Sequence, residues 1–305
     1  MILELSDDAA EYGREALRAF EAAGGDQLVQ QAEAKPADRE TLVGPVLAGL
    51  GAWDLDARTD ADGLEAAAAL CRSAGYWALP YPVAERLAAP ADLDSDGLLV
   101  VARNRPAAPV GGLENRWTAV TLDGVRSTAT AHGPAGPGFV TELATTHVDD
   151  GGAADIALGL TLPCWTLLGM LDRAIELTVA HVSLRKQFGQ ALSSFQGVQF
   201  QLTDAEVERS GLDILAKYTL WSIATARPEA LNDALALRLS ALETAETVFR
   251  VCHQLHGAVG FCDETTLSWL SRYSQPLRRL PLGLSATRDA LTRTAGSAGL
   301  TGLYA

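Results

Sequence analysis

Arg185-Lys186-Gln187-Phe188-Gly189-Gln190, followed closely by Ser194-Phe195-Gln196-Gly197-Val198-Gln199, places a cation, several amides and two aromatic rings between two long helical patterns. A guanidinium donates paired hydrogen bonds to a phosphate or carboxylate, and an aromatic side chain offers a flat apolar face. The set suits an anionic ligand that carries a ring; the plain alternative is a loop with a solvated arginine. A second stretch, Gln254-Leu255-His256-Gly257-Ala258-Val259-Gly260-Phe261, closes a later helical pattern. Its small residues either admit close backbone approach by a ligand or simply cap a helix.

Other chemistry-bearing residues are less organised. His253 and His256 are three apart, with no cysteine or carboxylate at metal-site spacing around them, so they read as capping or packing groups and no metal is expected. Cys71, Cys164, Cys252 and Cys262 form no Cys-x-x-Cys and imply a reduced protein. Asp263 and Glu264 read as the start of a short helix. Arg272, Arg278 and Arg279 could attract phosphates or lie on a solvated or subunit-facing surface. No Gly-x-Ser-x-Gly elbow and no glycine-rich phosphate loop is present.

The elements that position these residues read as mainly α. Ser6 with Asp7 and Asp8 predicts a helix start, and Gly24-Gly25 its stop. Further helices are expected near 38–50, 63–74 and 83–88, giving an N-terminal helical domain over 1–97. Residues 98–150 form a reduced β region: Leu98–Ala102 and Trp117–Leu122 are strand-like, and Asp123-Gly124 signals a hairpin. Residues 151–305 read as a bundle with helices over 156–184, from a cap at Ser193 or Ser194 to about 226, over 229–255 and over 284–297. Pro163 falls in the first turns of the first of these, where it is tolerated.

The 305 residues carry 24 Lys plus Arg against 38 Asp plus Glu, a net charge of −14. Such a surface repels nucleic acid and anionic membranes, so an anionic ligand must be met by a local arginine. The N-terminus lacks a basic and an apolar segment, no apolar run reads as long enough to span a bilayer, and a cytoplasmic protein is expected.

The two motifs, in this order on helices of this length, resemble the C-terminal domain of the acyl-CoA dehydrogenase family. The family pattern Arg-x-x-Phe-Gly-x-x-(apolar)-x-x-(aromatic or polar)-Gln matches Arg185, Phe188, Gly189, Leu192, Phe195 and Gln196. Its Gln-x-x-Gly-Gly-x-Gly matches Gln254, Gly257 and Gly260, with Ala258 in place of the second glycine. The match covers residues 154–275; the helical start and residues 49–87 resemble the family's N-terminal domain more weakly. The resemblance implies FAD, held across a subunit interface by its adenosine diphosphate half: Arg185 on the pyrophosphate, Gln187, Phe188, Leu192, Phe195 and Gln196 along the groove, and Gln254, Gly257 and Ala258 from the second helix end.

The departures from the family are equally informative. Residues 98–148 are short for the family's β-barrel and lack its Thr-Glu-Pro…Gly-Ser-Asp stretch. The base is a glutamate near the last helix or early on the first long one. The corresponding places here are Arg279–Ser285, without a carboxylate, and Gly159 between Leu158 and Leu160; Asp155 is the nearest acid. The pattern resembles the shortened subunit of heteromeric steroid-type acyl-CoA dehydrogenases. It implies an α2β2 assembly with a full-length partner whose glutamate removes the α-proton while the β-hydride passes to flavin N5, a bulky acyl-CoA substrate, and an electron-transfer acceptor. No catalytic residue is then expected in this chain. Two alternatives remain open at this point: a homomeric flavoenzyme using Asp155 or Glu264 as base, and a purely structural subunit without flavin contact.

Overall fold

Ser6 starts the first helix as expected: its Oγ accepts from Ala9 N at 3.3 Å, and Asp7 and Asp8 sit at the positive end of α1 (Asp7–Ala22). The computed structural model describes residues 4–298. After Gly24 and Gly25, both at positive φ, comes α2 (Asp26–Ala34), a helix that the sequence pattern does not announce. Its buried stripe of Leu28, Val29 and Ala32 spans little more than one turn among glutamines, too short a repeat to register as periodic. α3 (Arg39–Gly49), α4 (Ala61–Tyr76, capped by Asp60) and α5 (Val83–Leu87) come next.

α4 lies between α1 and the first bundle helix, α6 (Ala153–Leu184). The α4–α6 contact is backbone on backbone: a Cβ built at Gly75 would lie 1.8 Å from Thr166 O, and one at Gly169 would lie 1.8 Å from Arg72 O. Two arginines brace the same seam, with Arg72 donating to Asp172 at 2.6 Å and to Asp213 at 2.8 Å, and Arg209 reaching Asp172 at 3.3 Å.

The middle region is one open five-stranded sheet, ordered β1-β3-β4-β5-β2. β1 (Gly97–Val100) pairs parallel with β3 (Trp117–Val120), the chain between them crossing to the far edge to form β2 (Ala107–Ala108). Asp123-Gly124 turns β3 into the antiparallel β4 (Arg126–His132), as its hairpin signal predicts. β4 and β5 (Thr141–Asp149) are the longest strands, and apart from the hairpin signal leading into β4 no strand-like run in the sequence marks either. Their outer halves are exposed and rich in Thr and Ala, so no alternation of apolar and polar residues marks them.

α6 enters the bundle from Gly152 and is joined by α7 (Gln196–Ala224), α8 (Ala230–His256) and α11 (Leu284–Ala298). In contrast to the sequence expectation, α6 is long and apolar enough to cross a membrane by composition, but its most apolar window is 78% buried, as befits a core helix. The seryl cap expected for α7 does not form: Leu192–Ser194 make a 3-10 turn and Phe195 occupies the N-cap without a side-chain bond. Asp263 and Glu264 likewise precede α9 (Thr266–Tyr273), whose cap position is Thr265. α10 (Gln275–Arg279) then leads to a segment clasped by Arg238, which donates to Leu280 O at 2.6 Å and Leu282 O at 2.7 Å.

Candidate cofactor-binding face

α6 and α8 run parallel with α7 antiparallel between them in sequence, so the end of α6, the start of α7 and the end of α8 gather at one end of the bundle. All nine residues expected to contact a cofactor lie on these ends. Arg185 comes directly after the last turn of α6, its N–H donating to His181 O at 2.9 Å and its carbonyl accepting from Leu192 N at 2.9 Å. Lys186–Gln187 and Gln190–Ala191 pair as a two-residue hairpin (β6 and β7) around Phe188 and Gly189. Both central residues have positive φ, 52° and 84°, the mirror-image turn that matches strand twist. This turn holds Phe188 89% exposed, edge-on to Phe195 at 6.2 Å.

The Arg185 guanidinium is exposed and has no ion pair or side-chain hydrogen bond among the described residues. Beside it, the α7 N-terminus at Gln196 and Gly197 has no side-chain cap, and a Cβ at Gly197 would meet nothing within 4 Å. Free N–H groups, the positive end of a 29-residue helix and an unpaired guanidinium make an anion-accepting surface within a chain of net charge −14.

The second motif closes on the first through histidines. Gly257 ends α8 at φ 64° and ψ −146°, succeeded by the exposed Ala258 and a 3-10 turn to Phe261. Gln254 is exposed one turn earlier. His256 stacks on His181 at 4.4 Å and 19°, and His253 stacks on Phe261 at 4.3 Å and 15°. His256 Nδ1 donates to Cys252 O at 2.9 Å, which fixes its neutral tautomer. Burial pushes all three histidines below their ordinary value, and Arg185 adds to the effect at His181.

The positions considered for a base fare differently. Asp155 is buried and bound to Arg58 at 2.8 Å, with Arg126 at 3.6 Å, so its charge is compensated by two arginines. Glu264 is exposed. Gly159 has no room for a side chain: its Cβ would lie 2.7 Å from Val100 Cγ2. Gly159, Leu280 and Pro281 line one cavity of about 40 Å³, so the fold brings the two expected base positions together. The acid found there is Glu85, which sequence reasoning does not single out. Its only signal is a helix too short to declare a face. Among the described residues no group of three His, Cys, Asp or Glu side chains is arranged to hold a metal ion.

Comparisons with known proteins agree with this architecture. Residues 161–280 match the acyl-CoA dehydrogenase C-terminal domain. Acyl-CoA dehydrogenase FadE28 of Mycobacterium tuberculosis is 35% identical over 92 residues, 30% of this chain and 27% of that protein. The (R)-benzylsuccinyl-CoA dehydrogenase of Thauera aromatica is 29% identical over 104 residues, 34% of this chain and 26% of that protein. The matched stretch thus spans about a quarter of these relatives' lengths. Solved structures cover nearly the whole fold. A chain of the ChsE4–ChsE5 complex from Mycobacterium tuberculosis superposes with TM-score 0.78 at 16% identity, over 98% of this chain and 100% of that one. A chain of the Tcur3481–Tcur3483 steroid ACAD variant gives 0.78 at 19% identity, over 96% and 99%. Residues 161–280 thus match the acyl-CoA dehydrogenase C-terminal domain, and the chain as a whole shares its fold with solved acyl-CoA dehydrogenase chains.

Proposed function

We propose that this chain is one subunit of a heteromeric, FAD-dependent acyl-CoA dehydrogenase, paired as α2β2 with a full-length partner. The observation that carries the reading is the pairing of an unpaired, exposed Arg185 with an uncapped α7 N-terminus and an exposed Phe188, all facing outward at one end of the bundle. The Arg185 guanidinium has no partner among the described residues, and these groups together fit the diphosphate and ring of an FAD tail held by a neighbouring subunit. Arg185 and the α7 N–H groups bind the pyrophosphate. Gln187, Phe188, Leu192, Phe195 and Gln196 line the groove, and Gln254, Gly257 and Ala258 approach from the α8 end. Open space at Gly257, where a Cβ would meet nothing within 4 Å, leaves its backbone accessible. When bound, FAD would supply the acceptor for the β-hydride of the acyl-CoA.

The glutamate that takes the α-proton is assigned to the partner. Asp155 is locked between two arginines, and the cavities at Glu85 measure about 40 and 60 Å³. A benzene-sized ligand needs roughly 150 Å³, so neither holds an acyl thioester. The likeness to chains of a heteromeric complex and of a steroid ACAD supports both the assembly and a bulky polycyclic acyl group as the substrate to test first.

Co-expression with a full-length acyl-CoA dehydrogenase encoded beside it tests the proposal. The purified complex should contain flavin and oxidise a steroid-type acyl-CoA in the presence of an electron-transfer acceptor. Arg185→Ala should weaken FAD retention about tenfold or more, since a hydrogen bond to a charged group contributes about 1.5–3 kcal/mol. A yellow, active chain on its own would sink the heteromer. Unchanged flavin content in the Arg185→Ala complex would instead favour a purely structural subunit.

A further inference from the structure

Two small cavities meet at Glu85, away from the exposed motifs. The first, about 60 Å³, is bordered by Arg39, Phe139 and Tyr273; the second, about 40 Å³, by Gly159 and Arg238. Gly138, Tyr273 and Pro276 border both the first cavity and an open groove of about 380 Å³ between Pro137–Val140 and α9–α10. The charges around these cavities do not balance. Arg39 and Arg238 are 1% and 3% exposed, and neither has a carboxylate within ion-pair distance among the described residues. Arg39 donates to the carbonyls of Pro80, Pro109 and Gly111, which uses three of its five N–H groups. Arg238 Nε is buried without any partner. Burial and the nearby Glu33 carboxylate push the Tyr273 phenol up, yet its buried Oη has no hydrogen bond of ordinary geometry. Glu85 is the one acid bordering the two cavities, and burial pushes its carboxyl up despite the field of Arg39. Within the walls of the two cavities, two buried cations thus face one carboxylate that burial discourages from ionising, with guanidinium donors left over; Glu33 reaches Tyr273 from the groove side. Uncompensated buried charge and unmade hydrogen bonds are both costly, and an anionic acceptor would relieve them together.

We infer that the first cavity is the head-group pocket of a site for an amphipathic organic carboxylate, with Arg39 and Tyr273 donating to the carboxylate and the apolar body lying along the groove of Pro137, Val140 and Leu280. Arg238, in the adjoining cavity, adds positive potential, and the acids the ligand must tolerate are Glu85 between the cavities and Glu33 on the groove wall beside Tyr273. The site is distinct from the cofactor-binding face and requires no partner subunit.

Calorimetric titration of the full chain with octanoate and with octanol, equal in length and different in head group, decides the matter. Octanoate should bind at least about tenfold more tightly, the effect of charge-assisted hydrogen bonds in a buried pocket. Tyr273→Phe should narrow that gap several-fold, and Glu85→Gln should widen it by removing the competing acid. Equal affinities would reduce the groove to an apolar trough and overturn the inference. So would the absence of octanoate binding, or weaker octanoate binding by Glu85→Gln. The comparison of the two probes on the unmodified chain stands even if a variant fails to fold.

Discussion

Gly257 combines φ 64° with ψ −146°, a region open almost only to glycine, in a place where a side chain would meet nothing within 4 Å. Its requirement is therefore conformational and not steric. Gly257→Ala should lower unfolding stability by about 1–3 kcal/mol, measured by urea denaturation, and a change near zero would show that the turn relaxes freely. At this scale the sequence is informative wherever a residue acts through its own backbone or charge. Gly257, Gly189 and Arg185 stand out because a positive φ or an unpaired guanidinium is a property of one position and its neighbours. Glu85 and Arg238 do not. Their significance comes from sharing a cavity wall with Gly159 and Leu280, residues that lie scores of positions away. Asp155, the acid nearest the expected base position, is half of a buried ion pair because its partners Arg58 and Arg126 come from other regions of the chain.

At the scale of elements, the α4–α6 seam depends on two glycines that each face a carbonyl of the opposite helix. A methyl group at either place has only backbone to displace, so Gly169→Ala should cost about 1–3 kcal/mol or more and lower Tm, whereas Gly211→Ala, with nothing within 4 Å, should not destabilise. The stacked His181–His256 pair ties the ends of α6 and α8 and makes that junction acid-sensitive. The native pKa values lie below the ordinary 6.5, so the unfolded chain takes up protons first as pH falls. The stability present above 6.5 is then lost on acidification. Tm should drop from about pH 7.5 to about pH 5.5, and His181→Phe, which keeps a ring in the stack, should flatten that drop. An unaltered slope in the variant would place the sensitivity elsewhere. The long helices are legible from periodicity. α2 and the β4–β5 pair are not, since one has too few turns and the other too few apolar residues for a repeat to emerge.

For the whole molecule, the decisive feature is the surface left uncovered. Phe200, Val207 and Ile214 recur at seven-residue intervals along α7 and are 59%, 62% and 53% exposed, on the helix that follows the exposed Phe188 in the chain. A stripe of large apolar side chains beside an anion-accepting end is the form of an assembly surface. Val207→Glu should leave the Tm of the isolated chain unchanged while abolishing its co-purification with the proposed partner. Retained co-purification would place the interface on another face.

The parallel course of α6 and α8 also divides the bundle into two unequal ends. One carries every motif residue; the other holds the short turn of Thr225–Glu229 between α7 and α8. Lengthening a helix by a single residue advances its remaining turns by about 1.5 Å and swings them through roughly 100°, so an insertion within α6 would carry Arg185 out of line with Gln254. An insertion in the far turn changes neither alignment. A fluorophore, affinity tag or tethered domain placed at Arg227-Pro228 would therefore report on assembly while leaving the binding end untouched.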